Sequence, residues 1–290
     1  FHMDIAASVQ AVTEEVVLTM TKSLAKEYNI PNLCMAGGVA LNCVANGKIL
    51  RDESFKDVWI QPASGDAGGA LGGALALWHK ELNKPRTVNP KDSMKGSYLG
   101  PMYEQGSIEK ELLDCGAKFD SVTEDEMIEQ TSQALADGKA VGWFQGRMEF
   151  GPRSLGGRSI LGDPRSEQMQ KTLNLKVKYR ESFRPFAPSV LREDVSDWFE
   201  ANYDSPYMLL VDYVKKDKRI EMTKEEESLF GIDKLNIKRS SIPAVTHVDY
   251  SSRIQTVYKD TNPKYHKLIT KFKEKTGCSV VVNTSFNIRG

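Results

Sequence analysis

Four arginines, Arg147, Arg153, Arg158 and Arg165, fall within residues 142–165, GWFQGRMEFGPRSLGGRSILGDPR, directly after an apolar run at 140–144. Guanidinium forks grip phosphate or carboxylate through paired, charge-assisted hydrogen bonds, and glycines let backbone N–H groups approach a ligand closely. The combination predicts a site for a small anion, such as an acyl phosphate or a nucleotide tail. The plainer alternative is a solvated basic loop, against which the interleaved Phe150, Leu155 and glycines speak.

A second basic segment follows at 174–191, NLKVKYRESFRPFAPSVL. Lys176, Lys178, Arg180 and Arg184 alternate with Val177, Tyr179 and Phe183, which predicts an extended strand with one basic face. A solvated edge strand protected by lysine would read the same way. Arg253 lies among hydroxyl-bearing residues in THVDYSSRIQTV, 246–257, and Asn283 and Ser285 lie in NTSFN, 283–287, where an ordinary turn is the alternative.

Two glycine turns stand nearer the start. In MAGGVALN, 35–42, Gly37 and Gly38 would admit a nucleotide and Asn42 would bond a ribose or phosphate oxygen; a helix-capping asparagine fits equally. In SGDAGGALGG, 64–73, Gly65 precedes Asp66, a metal or water-positioning carboxylate or else an N-cap, and Gly69, Gly73 and Ala76 predict close helix packing. His2, His79, His247 and His266 form no metal-spaced pair, and no Ser/His/Asp or Cys/His triad is readable. His79 reads as a helix-end residue favoured by the dipole.

The elements that must hold these residues follow from periodicity. Ile5, Val9, Val12, Val16 and Met20 predict an amphipathic helix over 4–28, ended by Asn29-Ile30-Pro31. A buried strand at 33–36, a helix at 42–51, a strand at 57–60 and a helix at 67–82 repeat strand, glycine turn, helix, the grammar of an α/β nucleotide-binding domain. Residues 83–96 read as a linker. Beyond it the pattern predicts helices at 124–137, 166–173 and 263–276 and strands at 140–144, 187–191, 208–214 and 279–282. The charged stretch 215–239 reads as a mobile surface insertion.

Lys+Arg and Asp+Glu both number 39 among 290 residues, so a large nucleic-acid footprint is disfavoured. The four cysteines form no CxxC pair, which argues against a zinc ribbon and for a reducing, cytoplasmic setting; Cys34 and Cys115 read as small core fillers. No apolar run is long enough to span a bilayer. Phe1 starts a helix-like segment and Gly290 follows a polar loop, so the chain is expected to be a fragment of a longer protein.

Taken in order, AASVQAVTEEVV, MAGGVALNCVANGKI, QPASGDAGGALGGAL, GWFQGRMEFGPRSLGGRSIL, KVKYRESFRPFAPSVL, HVD…RIQTV and TGCSVVVNTSFNIRG resemble the NodU/CmcH-type O-carbamoyltransferases over nearly the whole chain. The resemblance implies an α/β fold, with the C-terminal part of an actin-like (ASKHA) ATPase-fold domain at 1–90 and a YrdC-like α/β domain at 91–290. It implies that the second domain forms carbamoyl adenylate from carbamoyl phosphate and ATP with Mg2+, and that the first transfers the carbamoyl group to a small-molecule hydroxyl acceptor. Asp66 matches the family's metal-binding aspartate, iron being the expected ion. Its usual histidine ligands would lie upstream of Phe1, so this chain alone does not complete that site. Gly37, Gly38 and Asn42, with Gly65 in the neighbouring turn, would contact nucleotide. Arg153, Lys178, Arg253 and Ser285 match positions that hold carbamoyl phosphate and the adenylate, joined by Arg147, Arg158 and Asn283; Lys178, Arg253 and Ser285 are the expected catalytic residues. The family's usual GPRALGNRS is departed from at Ser154 and Gly157. A threonylcarbamoyl-AMP enzyme of tRNA modification is a rival that the neutral charge disfavours. A hydrogenase-maturation enzyme would need CxxC motifs, and an inactive nucleotide-binding module is the non-enzymatic rival. The acceptor and the oligomeric state, including a homodimer, are not specified by the sequence.

Overall fold

A computed structural model describes residues 1–89 and 92–287, and it divides into two compact units, Phe1–Lys91 with Leu209–Val211, and Asp92–Met208 with Asp212–Gly290. The boundary expected between 90 and 91 falls outside the described residues.

In the first unit, helix α1 (His2–Tyr28) ends at Asn29, which adopts the left-handed conformation (φ 50°) and donates its N–H to Ala25 O. Strand β1 (Asn32–Met35) leads through a 3-10 turn, Gly38–Leu41, into α2 (Cys43–Arg51). Strand β2 (Asp57–Ile60) leads into α3 (Asp66–Ala76), which continues as a π-type turn over Leu77–Glu81. β1 and β2 pair in parallel from Asn32↔Asp57 to Met35↔Ile60. Both glycine turns therefore leave the same, C-terminal edge of a parallel pair, the edge at which α/β sheets bind ligands.

Four expectations are corrected at this point. β1 is not buried: Asn32 and Cys34 are exposed and Leu33 and Met35 half-buried, because a two-stranded sheet has too few neighbours to cover both faces. Cys34 is accordingly no core filler, nor is the exposed Cys115. The apolar stripe of α1 is also uncovered, with Ile5, Val9, Val12, Val16 and Met20 all exposed and Glu14 and Thr21 buried instead. α1 meets α2 through polar partners: Asn42 Nδ2 donates to Gln10 Oε1 (2.9 Å), and Lys48 pairs with Glu14. Finally, Gly69 and Gly73 face open space. The packing glycine is Gly68, where a Cβ would lie 2.1 Å from Ala63 O. Gly68→Ala is expected to destabilise this unit by about 1–3 kcal/mol, the range for overpacking, with a matched Gly69→Ala control at least as stable as wild type in urea unfolding.

The second unit carries a six-stranded sheet in the order β3-β4-β8-β5-β7-β6, with β3 Val141–Phe144, β4 Arg158–Gly162, β5 Ala187–Leu191, β6 Leu210–Tyr213, β7 Ser251–Val257 and β8 Val280–Ser285. β5 and β7 are parallel, whereas β3/β4, β4/β8 and β8/β5 are antiparallel, so the fold is mixed α/β. Val280, Val281 and Val282 are fully buried, as expected of an apolar run in a central strand. Helix α4 spans Gln105–Asp114 and α5 spans Glu124–Ala136, the latter opened by a Thr123–Glu126 capping box.

The long helix Pro263–Thr276 has proline at its first position. Asn262 caps it by accepting from Tyr265 N, and it ends at left-handed Gly277. Its Tyr265, Leu268, Ile269 and Phe272 recur at helical spacing and are fully buried with Ile128 and Leu135 of α5 and the sheet. Burial of such side chains contributes roughly 1.5–3 kcal/mol each.

One further expectation changes here. The extended strand expected from 174 does not form there: the helical turn Met169–Thr172, inside the helix expected at 166–173, continues as a π-type turn, Leu173–Val177, and a strand begins only at Ala187. Buried Asn174 explains this, because its Nδ2 donates to Ser182 O and Arg184 O (both 2.9 Å) and its Oδ1 accepts from Arg180 Nε (2.7 Å). The stretch 215–239, expected as a surface insertion, is largely exposed and carries local structure. It holds short helices at Lys224–Ser228 and Ile232–Leu235, and the buried Arg239 guanidinium satisfies carbonyls of Lys234 and Ile237.

Candidate anion site at one end of the sheet

Strand register decides which loops meet. Phe144 at the end of β3 pairs with Arg158 at the start of β4, and Ser159 pairs with Ser285 at the end of β8. Asn283 pairs with Ala187 at the start of β5, and β5 runs parallel to β7. The 145–157 loop, the approach to β5, the approach to β7 and the exit from β8 therefore share one end of the sheet. Arg147, Arg153, Arg158, Lys178, Arg253, Asn283 and Ser285, scattered over more than a hundred residues of sequence, all lie on these loops or strand ends.

Their roles in the geometry differ. Lys178 is 5% exposed, and its Nζ donates to Ser285 O (2.5 Å), Asn287 O (2.8 Å) and Asn287 Oδ1 (2.8 Å), with Ser285 Oγ at 3.2 Å. It thus ties the approach to β5 to the exit from β8. Burial, with Arg180 nearby, pushes its pKa down to about 8. Arg158 stacks on Phe144, 3.6 Å from the ring centroid, and donates to Gln145 O (3.0 Å), Gly157 O (2.8 Å) and Gly146 O (3.1 Å). Its guanidinium is engaged by the loop's own carbonyls. Arg165 likewise forks onto Asp163. Arg147 is exposed and reaches Gly100 O (3.1 Å), while Arg153 and Arg253 are half-buried.

Asn283 is 2% exposed and part of a buried network. Its Nδ2 donates to Ser154 O (3.0 Å), Ser189 Oγ (3.0 Å) and Gln255 Oε1 (2.9 Å), and Gln255 Nε2 donates to Leu155 O (2.8 Å). This network joins β5, β7, β8 and the arginine loop. Sequence reasoning missed Gln255 and Ser189; with β7 unrecognised as a strand, nothing placed them beside Asn283.

Glu149 is the larger omission. Its buried Oε1 accepts from Leu155 N (2.6 Å), Gly157 N (2.8 Å) and Arg158 N (3.3 Å). The backbone N–H groups expected to close on a ligand are, in this loop, gathered around an internal carboxylate. The departure at Gly157 has its reason here, since a Cβ at 157 would lie 2.8 Å from Arg147 O and 3.1 Å from Glu149 Oε2. Gly156 has φ 102°, and a Cβ there would meet the Tyr265 ring at 2.3 Å, so only glycine fits.

In the first unit, Gly37 N–H donates to Ser64 O (2.8 Å), which brings the two glycine turns together. Gly37 (φ 100°) and Gly38 have open space where a Cβ would stand, and Gly65 meets only Leu41 at 3.9 Å. Asn42 caps α2 by accepting from Ala45 N (3.1 Å), and its amide is further engaged by Gln10. Asp66 is the exposed first residue of α3. Among the described residues no group of three or more His, Cys, Asp or Glu could hold a metal ion. Among the described residues no helix is long and apolar enough to cross a membrane.

In this α/β chain cationic and hydroxyl groups thus share one sheet end. Residues 132–290 match the carbamoyltransferase C-terminus family and residues 2–75 the carbamoyltransferase N-terminus family. The chain belongs to the carbamoyltransferase family. It is 57% identical over its whole length to 47% of the protein sll1178 of Synechocystis sp.. It is 39% identical to nodulation protein NolNO of Sinorhizobium fredii, with 99% of this chain and 39% of that protein covered. It is 33% identical to 3'-hydroxymethylcephem-O-carbamoyltransferase of Streptomyces clavuligerus, covering 89% of this chain and 43% of that enzyme. The chain spans about half the length of the curated relatives it matches or less.

Proposed function

We propose that the second unit is a YrdC-like domain that makes carbamoyl adenylate, and that the first is the C-terminal part of an actin-like domain that passes the carbamoyl group to a small-molecule hydroxyl. The convergence of Arg153, Lys178, Arg253 and Ser285 on one sheet end carries this reading. The family membership and the named O-carbamoyltransferase relative support it.

The chemistry suits donors of this kind. Water releases phosphate from carbamoyl phosphate; a carbamate oxygen attacks the α-phosphorus of ATP, which enters as its Mg2+ complex, and pyrophosphate leaves. Negative charge grows on phosphoryl oxygens, where fixed cations and N–H dipoles act without reorganising. Arg153 and Arg253 would clamp the phosphate and the adenylate. Lys178, held with Ser285 against the β8 exit, would add its positive charge to the anion there. Asn283 holds the loop through its network and makes no demand on a ligand.

The test is carbamoyl-phosphate-dependent pyrophosphate release from ATP by the full-length protein. Wild type is expected to release it, and Arg253→Ala to lose at least about a hundredfold, the scale for one charge-stabilising donor. Absence of release from folded wild-type protein would sink the reading.

A further inference from the structure

Between the 3-10 turn Pro243–Val245 and β7, residues 247–250 make a turn closed by Tyr250 N to His247 O (3.1 Å), with His247 N donating to Ser251 O (2.8 Å). The turn lines up Asp249, Ser251 and His247. Ser251 Oγ lies 2.6 Å from Asp249 Oδ1, and Ser251 N donates to the same oxygen (3.1 Å). A carboxylate accepts, so the single hydroxyl proton of Ser251 points at Asp249. His247 Nδ1 lies 3.1 Å from that same Oγ, and with its proton directed elsewhere the hydroxyl oxygen can only accept. Nδ1 must therefore carry the hydrogen. Burial lowers the pKa of His247; Asp249 opposes this and Arg253 adds to it. In the neutral ring Nε2 then holds a lone pair.

This acceptor belongs to the turn that leads into β7, the strand that carries Arg253, on the sheet end where the other site residues gather. The side chains assigned to the anion there, Arg153, Lys178 and Arg253, are donors only. They serve phosphate and carbonyl oxygens and offer nothing to an amino group. The carbonyls of residues 285 and 287 already accept from Lys178. Carbamoyl phosphate differs from acetyl phosphate by having NH2 in place of CH3, so donors alone would hold both alike.

We propose that His247 Nε2 accepts an N–H of the carbamoyl group and sets the preference for carbamoyl phosphate over acetyl phosphate, an inference resting on the carbamoyl-phosphate reading above. Asp249 and Ser251 act through His247 as positioning residues that hold its tautomer. Loss of one hydrogen bond to a neutral acceptor corresponds to about 10- to 100-fold in that preference.

The experiment uses the full-length protein and measures the affinity of carbamoyl phosphate and of acetyl phosphate by calorimetry, with kcat/KM for pyrophosphate release alongside. In His247→Ala, carbamoyl phosphate is expected to weaken about 10- to 100-fold while acetyl phosphate stays as in wild type; His247→Gln, which keeps an acceptor, should retain most of the preference. Ser251→Ala leaves the imidazole in place but frees its tautomer, and should lose part of the preference, so the idea stays testable if the alanine variant at 247 fails to fold. Imidazole 15N shifts should report hydrogen on Nδ1 in wild type. An unchanged ratio in His247→Ala, or a parallel fall for both phosphates, overturns the proposal and leaves the carbamoyl-phosphate reading standing. Wild type that binds neither phosphate overturns that reading and this inference with it.

Discussion

Glu149→Ala is expected to lower the unfolding free energy by roughly 3–5 kcal/mol. Three N–H groups, of Leu155, Gly157 and Arg158, converge on one buried oxygen of this carboxylate. A hydrogen bond to a charged group contributes about 1.5–3 kcal/mol, and a buried donor left without an acceptor costs about 1–3 kcal/mol. Relaxation and water entry keep the total below the sum of the three. Glu149→Gln retains an oxygen acceptor and loses the charge, so it should recover at least half of the loss. Urea unfolding of the three proteins decides this; an alanine variant within about 1 kcal/mol of wild type would show that the loop holds itself together without the carboxylate. Because the same loop carries Arg153, pyrophosphate release should fall with it, and Glu149→Gln should restore both.

Lys178→Met is expected to reduce carbamoyl-phosphate-dependent turnover by about 10²–10³-fold, the scale for one preorganised charge-stabilising group. Methionine fills the path of the lysine stem but leaves the carbonyls of Ser285 and Asn287 without their shared donor. The pH profile carries the sharper signature. The folded pKa is about 8, against 10.5 for an ordinary lysine. Below about 8 the ammonium is charged in both folded and unfolded chains, and its burial weighs fully against stability. As pH rises from about 8 to 10.5 the folded protein releases this proton first, the unfolded state binds more protons, and this group's contribution to stability rises. Activity should move the other way. An anion site needs the charged form, so turnover should fall through a single ionisation near pH 8, displaced upward when carbamoyl phosphate is bound. The Lys178→Met enzyme, whatever its residual rate, should lack that ionisation. A profile with the same ionisation in both proteins would assign it to another group.

The carbamoyltransferase family is legible in the sequence alone, because its motifs recur in order from residue 6 to the end of the chain and each couples special residue types to a fixed spacing. So are the elements with strong periodicity. The helix Pro263–Thr276 announces itself through Pro263, Gly277 and the Tyr265/Leu268/Ile269/Phe272 stripe, and β8 through its valines. Local pattern fails where side chains rather than periodicity decide the backbone. The basic alternation after 174 looks extended, yet buried Asn174 winds it into a turn by satisfying two carbonyls, and one lysine of the pattern is buried while Lys176 is exposed. β4 and β7 are hidden because arginine, serine and glutamine occupy strand positions that tertiary neighbours, not strand propensity, make tolerable. The exposed stripe on α1 shows the reverse: periodicity specifies an apolar face without specifying what covers it.

What the sequence by itself determined is the chemistry at hand: cations, glycines, hydroxyls and amides suited to a small phosphorylated anion. Only the tertiary structure decided which of them meet and which are taken up internally. Sheet register brings residues 147, 178, 253 and 285 to one end, and no local spacing encodes that. Hydrogen-bond saturation then separates them, since a donor already held by a buried acceptor, as the loop N–H groups are by Glu149, has nothing further to offer a ligand.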